Sequence, residues 1–236
     1  MSVLSALKVY EQGHGERSQK RANALSWTPA REIVDALNEA FYLAFRSMEP
    51  TGKKHLLALD ISGSMTCGTI AGVPGLTPRV ASAAMAMATA RLEPEYAVVG
   101  FAAATGLSGS LSANGIDGIR PLGISPRQRL DDVLKAVENL PFGGTDCSLP
   151  MIWAQKNRIE VDTFIVYTDN ETWAGKMHPF QALREYRQAM GRPARLVVVG
   201  MTATRFTIAD PTDPGMLDVV GFDAAAPRVM ADFTRA

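Results

Sequence analysis

The ten residues LLALDISGSM, at positions 56–65, restrict the fold of this chain more than any other stretch. Four apolar residues run directly into Asp60, and Ser62, Gly63 and Ser64 follow. An apolar run that ends in oxygen-bearing side chains is typical of a buried parallel strand whose carboxyl end carries ligand groups. Gly63 has no Cβ, so the backbone can bend between the two serines. The sequence therefore predicts a strand that delivers Asp60, Ser62 and Ser64 to one tight turn.

Three hard oxygen donors in one turn suggest a divalent-cation site. Carboxylate and hydroxyl oxygens suit Mg²⁺, Mn²⁺ or Ca²⁺ rather than a soft metal. The same residues also fit a strand end followed by a serine-capped helix. The D-x-S-x-S spacing alone leaves both interpretations open, and the rest of the chain has to decide between them.

Strand-length apolar runs alternate with helix-length periodic segments along most of the chain. This alternation predicts an α/β fold, with a doubly wound, mostly parallel central sheet, helices on both faces and a short helical segment before it. The predicted strands are residues 56–59, 96–102, 164–167, 196–201 and 219–222, with an edge strand at 119–124 that is interrupted by Pro121. The predicted helices are residues 28–48 with Thr28 as cap, 78–92, 126–140, a segment ending at 156, 179–190 and one from 227. Residues 1–10 suggest a helix end without a partner, 103–118 a surface excursion, and 210–218 a polar segment.

Two more loops carry oxygen donors. Thr145 follows the glycine pair at 143–144, and Asp169 follows the apolar run at 164–167. Ligands bind outside the carboxyl ends of the strands in sheets of this type. We therefore expect Asp60, Ser62, Ser64, Thr145 and Asp169 to meet at one edge of the sheet.

This set resembles the metal-ion-dependent adhesion site of von Willebrand factor A (vWA) domains, which combines D-x-S-x-S with a separate Thr and Asp. All five positions match. The resemblance implies a vWA/Rossmann-like fold in which Ser62 and Ser64 contact the metal directly and Thr145 does so directly or through water. Asp60 and Asp169 would act mostly through water. One coordination position would remain open for an acidic protein partner or a phosphate group, with Mg²⁺ the expected ion and Mn²⁺ or Ca²⁺ as alternatives.

Longer strings resemble the Ro autoantigen (TROVE) family of RNA-binding proteins, in its bacterial form. The strings are YEQGHGER (10–17), EPTGKKHLLALDISGSM (49–65), GGTDCSLPMIWAQK (143–156), FIVYTDNET (164–172), HPFQALREYR (178–187) and FTIADPTDPGMLDVVGFD (206–223). Family members have a ring of helical repeats, which binds small noncoding RNAs and defective RNA ends, followed by a vWA domain. The resemblance implies that residues 1–48 are the end of the helical-repeat region and its joining helix, and that 49–236 are the vWA domain. Noncoding RNA would then be bound mainly through a ring that this chain lacks.

Composition and motifs exclude several other functions. The 24 basic and 24 acidic residues balance, so no global charge favours nucleic acid or a membrane surface. Two cysteines are too few for a secreted disulfide framework, and no signal peptide or membrane-spanning run is visible, so we expect a cytoplasmic protein with no membrane partner. Hydrolases with a catalytic aspartate after the first strand need a second carboxylate two residues later, where this chain has Ser62. No phosphate-binding glycine motif is present, and we expect neither catalytic residues nor an enzyme.

Two roles remain for the metal site. It is either a recognition site of a Ro ribonucleoprotein involved in RNA quality control, or an occupied but non-recognising site in a structural cap of the RNA-binding ring. A phosphohydrolase is a third and weaker alternative. Arg17, Lys20 and Arg21 are read as a solvated loop or a small phosphate-contacting patch, and Trp173 as a residue at the rim of the site. We expect Asp146 and Glu171 either to surround the metal ligands without contacting the ion or to brace the loops, and we expect His178 to cap a helix.

Overall fold

We describe a computed structural model of the chain. It describes residues 2–15, 25–43, 45, 48–70, 73, 75–103, 111–140, 143–169, 175–202, 208–222 and 225–236. The strands are β1 His55–Asp60, β2 Tyr96–Phe101, β3 Ser112–Ala113, β4 Ile116–Asp117, β5 Ile119–Pro121, β6 Thr163–Thr168, β7 Arg195–Gly200 and β8 Met216–Val220. The helices are α1 Ser2–Glu11, α2 Arg31–Leu43, α3 Pro78–Leu92, α4 Leu130–Glu138, α5 Leu149–Lys156, α6 Pro179–Met190 and α7 Ala226–Arg235.

Six strands form one sheet in the order β5-β2-β1-β6-β7-β8. All neighbouring pairs are parallel except β2 and β5, which are antiparallel at one edge. Pro121 ends β5 at that edge, where its missing N–H costs no ladder hydrogen bond. The predicted α/β class and mostly parallel sheet are confirmed.

Side chains alternate between two hydrophobic clusters, one on each face of the sheet. Leu57 and Ile165 pack in the cluster that contains residues of α1, α2, α3, α4 and α7. Their neighbours Leu56 and Phe164 pack in the other cluster, with residues of α5 and α6. Successive strand residues point to opposite faces, so this alternation places helices on both sides, as a doubly wound sheet requires.

N-cap residues in the sequence define the starts of two helices, α3 and α6. Thr77 caps α3, its side chain accepting from the backbone N–H of Val80 at 3.3 Å. His178 caps α6: its Nδ1 accepts from the N–H of Phe180, while Gln181 accepts from the N–H of His178. The predicted helices 78–92 and 179–190 and the capping role of His178 are confirmed.

The N-terminal segment differs from the prediction. α1 does have a partner: Leu4 and Leu7 are buried in the cluster that the sheet shares. α2 begins at Arg31 rather than at Thr28, because the preceding residues bond to the end of α1. The N–H of Trp27 donates to the Gly13 carbonyl at 2.8 Å, and the N–H of Ala30 donates to the Tyr10 hydroxyl at 3.1 Å. A domain boundary between residues 48 and 49 stays a prediction.

Four further elements also differ, and the first is β5, which ends at Pro121 rather than at 124. The segment 111–118, predicted to be irregular, contains the hairpin β3–β4, in which Asn114 and Gly115 have positive φ of 53° and 71°. Asn-Gly is the residue pair that such a tight turn favours. α4 starts at Leu130 rather than 126, because a turn in which the N–H of Gln128 donates to the Ser125 carbonyl precedes it. β8 begins three residues earlier than predicted and includes Asp218, which had been assigned to a polar segment.

Among the helices that the structure describes, none combines the length and the apolar character that crossing a membrane would require.

Candidate metal centre

The site forms at the carboxyl ends of three neighbouring strands, β2, β1 and β6. β1 lies between β2 and β6 and is parallel to both, with Asp60 beside Phe101 and Leu59 beside Tyr167. The carboxyl ends of the three strands therefore share one edge. A 3₁₀ turn, Gly63–Thr66, follows β1 directly and keeps Ser62 and Ser64 close to Asp60.

Three hydrogen bonds hold the carboxylate of Asp60, which is 1% exposed. The backbone N–H of Ser62 donates to Oδ1 at 2.8 Å. The hydroxyls of Thr145 and Thr168 donate to Oδ2 at 3.1 and 2.8 Å. These donors come from residues up to 108 positions away, so the carboxylate joins the end of β1, the end of β6 and the loop before α5.

Of the two serines, Ser64 lies on the side of the site that opens to solvent. Their hydroxyl oxygens lie 3.1 Å apart, and Ser62 is buried whereas Ser64 is exposed. Adjacent oxygens of an octahedral ion with bonds of about 2.1 Å lie about 3.0 Å apart, so this spacing suits Mg²⁺. The donor set of hydroxyl and carboxylate oxygens also fits Mn²⁺ and Ca²⁺.

Thr145 is buried on a loop that is fixed at both ends. The Gly144 carbonyl accepts from the N–H of Ala103 at 2.7 Å. On the other side, Asp146 accepts from both the N–H and the hydroxyl of Ser148, at 3.1 and 2.5 Å. Asp146 is therefore a loop brace, as the sequence indicated. The hydrogen of the Thr145 hydroxyl is directed at Asp60, which leaves an oxygen lone pair available to a cation.

Asp169 follows β6 and is 7% exposed. Its backbone carbonyl accepts from the N–H of Thr202 at 3.1 Å and from the Thr202 hydroxyl. Its negative charge raises the pKa of Asp60, so the two carboxylates lie within electrostatic range of each other. The structure thus brings all five candidate residues to one edge of the sheet, and their role as metal ligands stays a prediction.

Burial dominates the electrostatics of the site. Desolvation raises the pKa of Asp60 to about 6, although the hydrogen bonds from Ser62 and Thr168 lower it. Two buried carboxylates repel each other, and a divalent cation between them would offset that cost. The described residues contain no cluster of three or more His, Cys, Asp or Glu side chains suited to a metal. A metal here would depend on the hydroxyls as well as the two aspartates.

Sequence reasoning did not assign Thr168 to the site. Thr168 binds Asp60 directly, and the signal was its position as the last residue of a strand before Asp169. Cys147 is buried close by, where burial and the charges of Asp60, Asp146 and Asp169 raise the pKa of its thiol. Cys147 and the exposed Cys67 are both free thiols.

Arg17, Lys20, Arg21, Glu171 and Trp173 lie outside the described residues. Met151 and Trp153, both on α5, are buried in the cluster that α5 and α6 share with the sheet, so they pack in the core.

Comparison with known proteins adds sequence and structural relatives. The model of a family described as the Ro60 vWA domain matches residues 54–234. The RNA-binding protein RO60 of Deinococcus radiodurans is 52% identical over 235 residues, which are 100% of this chain and 41% of that protein. The RNA-binding protein RO60 of Caenorhabditis elegans is 41% identical over 234 residues, 99% of this chain and 33% of that protein. The chain therefore spans well under half the length of both relatives.

Solved structures agree with these relationships. The crystal structure of the Deinococcus radiodurans RO (RSR) protein matches with a TM-score of 0.78 at 52% identity, over 99% of this chain and 43% of that one. Proximal thread matrix protein 1 from the mussel byssus matches with a TM-score of 0.51 at 12% identity, over 79% of this chain and 48% of that one. The second likeness concerns the fold alone.

Proposed function

This chain belongs to the Ro60 vWA domain family, and we propose that it is the metal-ion-dependent partner-binding domain of a Ro ribonucleoprotein. The partner is an acidic protein group or a phosphate that completes the coordination of a divalent cation, most simply Mg²⁺. The whole ribonucleoprotein binds small noncoding RNA and acts in RNA quality control in the cytoplasm. RNA is held mainly by the ring of helical repeats, of which residues 1–48 are only the last part.

One observation carries the proposal: Thr145 and Thr168 donate to the same oxygen of Asp60. Thr145 lies on the loop before α5, whereas Thr168 is the last residue of β6. The carboxylate is thereby fixed while the oxygens of Ser62, Ser64 and Thr145 remain available. Ser64 is the exposed member, so it marks the direction from which a ligand would approach. A fixed set of oxygens with one open side is what a recognition site requires.

The proposed mechanism divides the work between two kinds of residue. Ser62, Ser64 and Thr145 would hold the ion through neutral oxygens, and Asp60 and Asp169 would supply the negative charge. When bound, the ion acts as a Lewis acid that attracts an anionic oxygen. Few direct carboxylates leave the ion electrophilic, so an incoming carboxylate or phosphate gains more from the contact. No catalytic role is assigned to any residue.

Metal titration of the domain tests the proposal. We expect Asp169→Ala to weaken Mg²⁺ binding at least about tenfold, because it removes one of two buried charges. The matched control is Asp132→Ala, which removes an exposed aspartate on α4 and should leave the affinity unchanged. Equal Mg²⁺ affinity in the wild type and Asp169→Ala, measured by calorimetry, would contradict the proposal.

A crystal soaked in Mn²⁺ separates recognition from a purely structural cap. The cap has one specific observation in its favour, since Leu4 and Leu7 of α1 share the core cluster of the sheet. For recognition, anomalous density should lie between Ser62, Ser64 and Thr145, with a position open to solvent. Inorganic phosphate should then bind only when Mg²⁺ is present. An ion fully enclosed by protein oxygens, and no Mg²⁺-dependent phosphate binding, would favour the cap.

A further inference from the structure

Arg79 lies immediately behind the candidate metal loop. It is the second residue of α3, and this helix packs against the 3₁₀ turn Gly63–Thr66. Its Nη2 lies 3.5 Å from the carbonyl oxygen of Ile61, the residue between Asp60 and Ser62. The guanidinium is therefore adjacent to the backbone that carries the first two candidate ligands.

The charge of Arg79 has no carboxylate partner within the part of the chain that the structure describes. No Asp or Glu oxygen of those residues lies within 4.0 Å of its guanidinium. Its Nε is buried and has no hydrogen-bond partner there. Arg79 is half-buried, and a partly desolvated cation that no ion pair neutralises costs free energy, so such a group usually serves another purpose.

The charge of Arg79 is coupled to two carboxylates, those of Glu138 and Asp60. Burial lowers the pKa of Arg79, which nevertheless stays charged at neutral pH, while the carboxylates of Glu138 and Asp60 raise it. Glu138 lies at the exposed end of α4, where water screens its charge, whereas Asp60 is buried. The positive charge of Arg79 therefore acts on the buried carboxylate of the site as well as on Glu138.

We propose that Arg79 is the residue that sets the charge balance of the site, weakening cation binding and strengthening the binding of an anionic group. A divalent cation would neutralise the charges of Asp60 and Asp169. Arg79 would then leave the loaded centre with one net positive charge. An incoming phosphate or carboxylate gains from that charge, whereas the cation itself is repelled by it. The inference rests on the proposed function, since it requires the site to hold a metal.

The proposal predicts that removing the charge of Arg79 changes the Mg²⁺ affinity and the phosphate affinity in opposite directions. Arg79→Met keeps an unbranched stem of similar length and removes the charge. We expect Mg²⁺ to bind about 3- to 10-fold more tightly to this variant, because the repulsion between one nearby positive charge and a divalent cation changes the affinity by about that factor. Binding of inorganic phosphate to the Mg²⁺-loaded domain should weaken by a similar factor of about 3 to 10. A purely structural role for Arg79 would weaken both affinities together.

Arg91 provides a matched control within the same helix. Its Nη2 also lies 3.5 Å from a backbone carbonyl, that of Gln128, and its Nε is also buried without a hydrogen-bond partner in the described residues. It is twelve residues further along α3, about 18 Å along the helix axis. Arg91→Met should leave both affinities unchanged.

The experiment is calorimetric titration of each variant with Mg²⁺ alone, and then of the Mg²⁺-loaded protein with inorganic phosphate. Arg79→Gln repeats the neutral substitution with a different shape, and Arg79→Lys should restore both affinities towards those of the wild type. Unchanged or weaker Mg²⁺ binding in the neutral variants would overturn the inference alone. Loss of cooperative unfolding in both neutral variants would assign Arg79 a structural role and also overturn it. A wild-type domain that binds no Mg²⁺ would overturn the proposed function, and this inference with it.

Discussion

Replacing Thr168 by valine removes the hydroxyl that donates to the carboxylate at the centre of the site and that also interacts with the thiol of Cys147. Thr168 ends β6, is 1% exposed and donates to Oδ2 of Asp60 at 2.8 Å. Valine has the same branched shape and suits a strand equally well. The substitution therefore tests whether this hydroxyl keeps Asp60 ionised and ready for a cation.

The size of the effect follows from the pKa of Asp60. A hydrogen bond to a charged group contributes about 1.5–3 kcal/mol, and each pKa unit corresponds to about 1.4 kcal/mol. From a starting value of about 6, the pKa of Asp60 should therefore rise to about 7–8 in Thr168→Val. About half to nine tenths of the metal-free protein would then be protonated at Asp60 at about pH 7. The apparent Kd for Mg²⁺ should rise about 2- to 10-fold at that pH, because the proton must leave.

Calorimetric titration with Mg²⁺ at two pH values measures this effect. At about pH 8.5 Asp60 is mostly ionised even in the variant, so the deficit should shrink to less than about 1.5-fold. Thr163→Val is the matched control. Thr163 is a buried threonine in the same strand, and its hydroxyl has no hydrogen-bond partner in the described residues. It begins β6, whereas Thr168 ends it, and we expect unchanged metal affinity.

Two results would refute the reasoning. An Mg²⁺ affinity at about pH 7 equal to that of the wild type would mean that the Thr168 hydroxyl does not control the ionisation of Asp60. A deficit of the same size at both pH values would mean that the hydroxyl orients the carboxylate without changing its pKa.

Two further predictions concern stability. Tyr186→Phe should lower the free energy of unfolding, measured by urea denaturation, by about 1–3 kcal/mol. The reason is that the buried hydroxyl donates to the Ile159 carbonyl and accepts from the N–H of Val161, both at 2.8 Å. An unchanged free energy of unfolding would contradict this. Burial lowers the pKa of His55, whose Nδ1 has no hydrogen-bond partner in the described part of the chain. Below about pH 6.5 the unfolded chain then binds a proton that the folded protein excludes, so stability should fall as the pH falls. Urea denaturation of His55→Gln at about pH 7.5 and pH 5.5 should show a smaller fall than the wild type, and an equal fall would refute the assignment.

The parts of the fold that depend on neighbouring residues were predictable. The bounds of α3 follow from Thr77 as a cap, Pro78 in the first turn and a continuous run of small and apolar residues. The apolar runs of β1 and β6 predicted buried parallel strands, and both are entirely buried. Each of these signals acts within a few residues, so no knowledge of distant contacts was needed.

The errors arose where distant contacts compete with local preference. Thr28 and Pro29 favour a helix start. The flanking residues Trp27 and Ala30, however, donate their backbone N–H groups to residues at the end of α1, so α2 begins only after them. Asn114 and Gly115 carried a turn signal, yet their hairpin is too short to show strand periodicity.

The sequence by itself determined the class of sheet and the chemical type of the site, because periodicity and residue identity are local properties. It placed Asp60 and Asp169 at strand ends and supplied serine and threonine oxygens beside them. Only the tertiary structure decided that β1 lies between β2 and β6, so that Thr168 reaches Asp60 across 108 residues. It also decided that Arg79 lies behind the same loop. Strand order is set by the total free energy of burial and hydrogen bonding over the whole sheet. No single segment of the sequence contains that information.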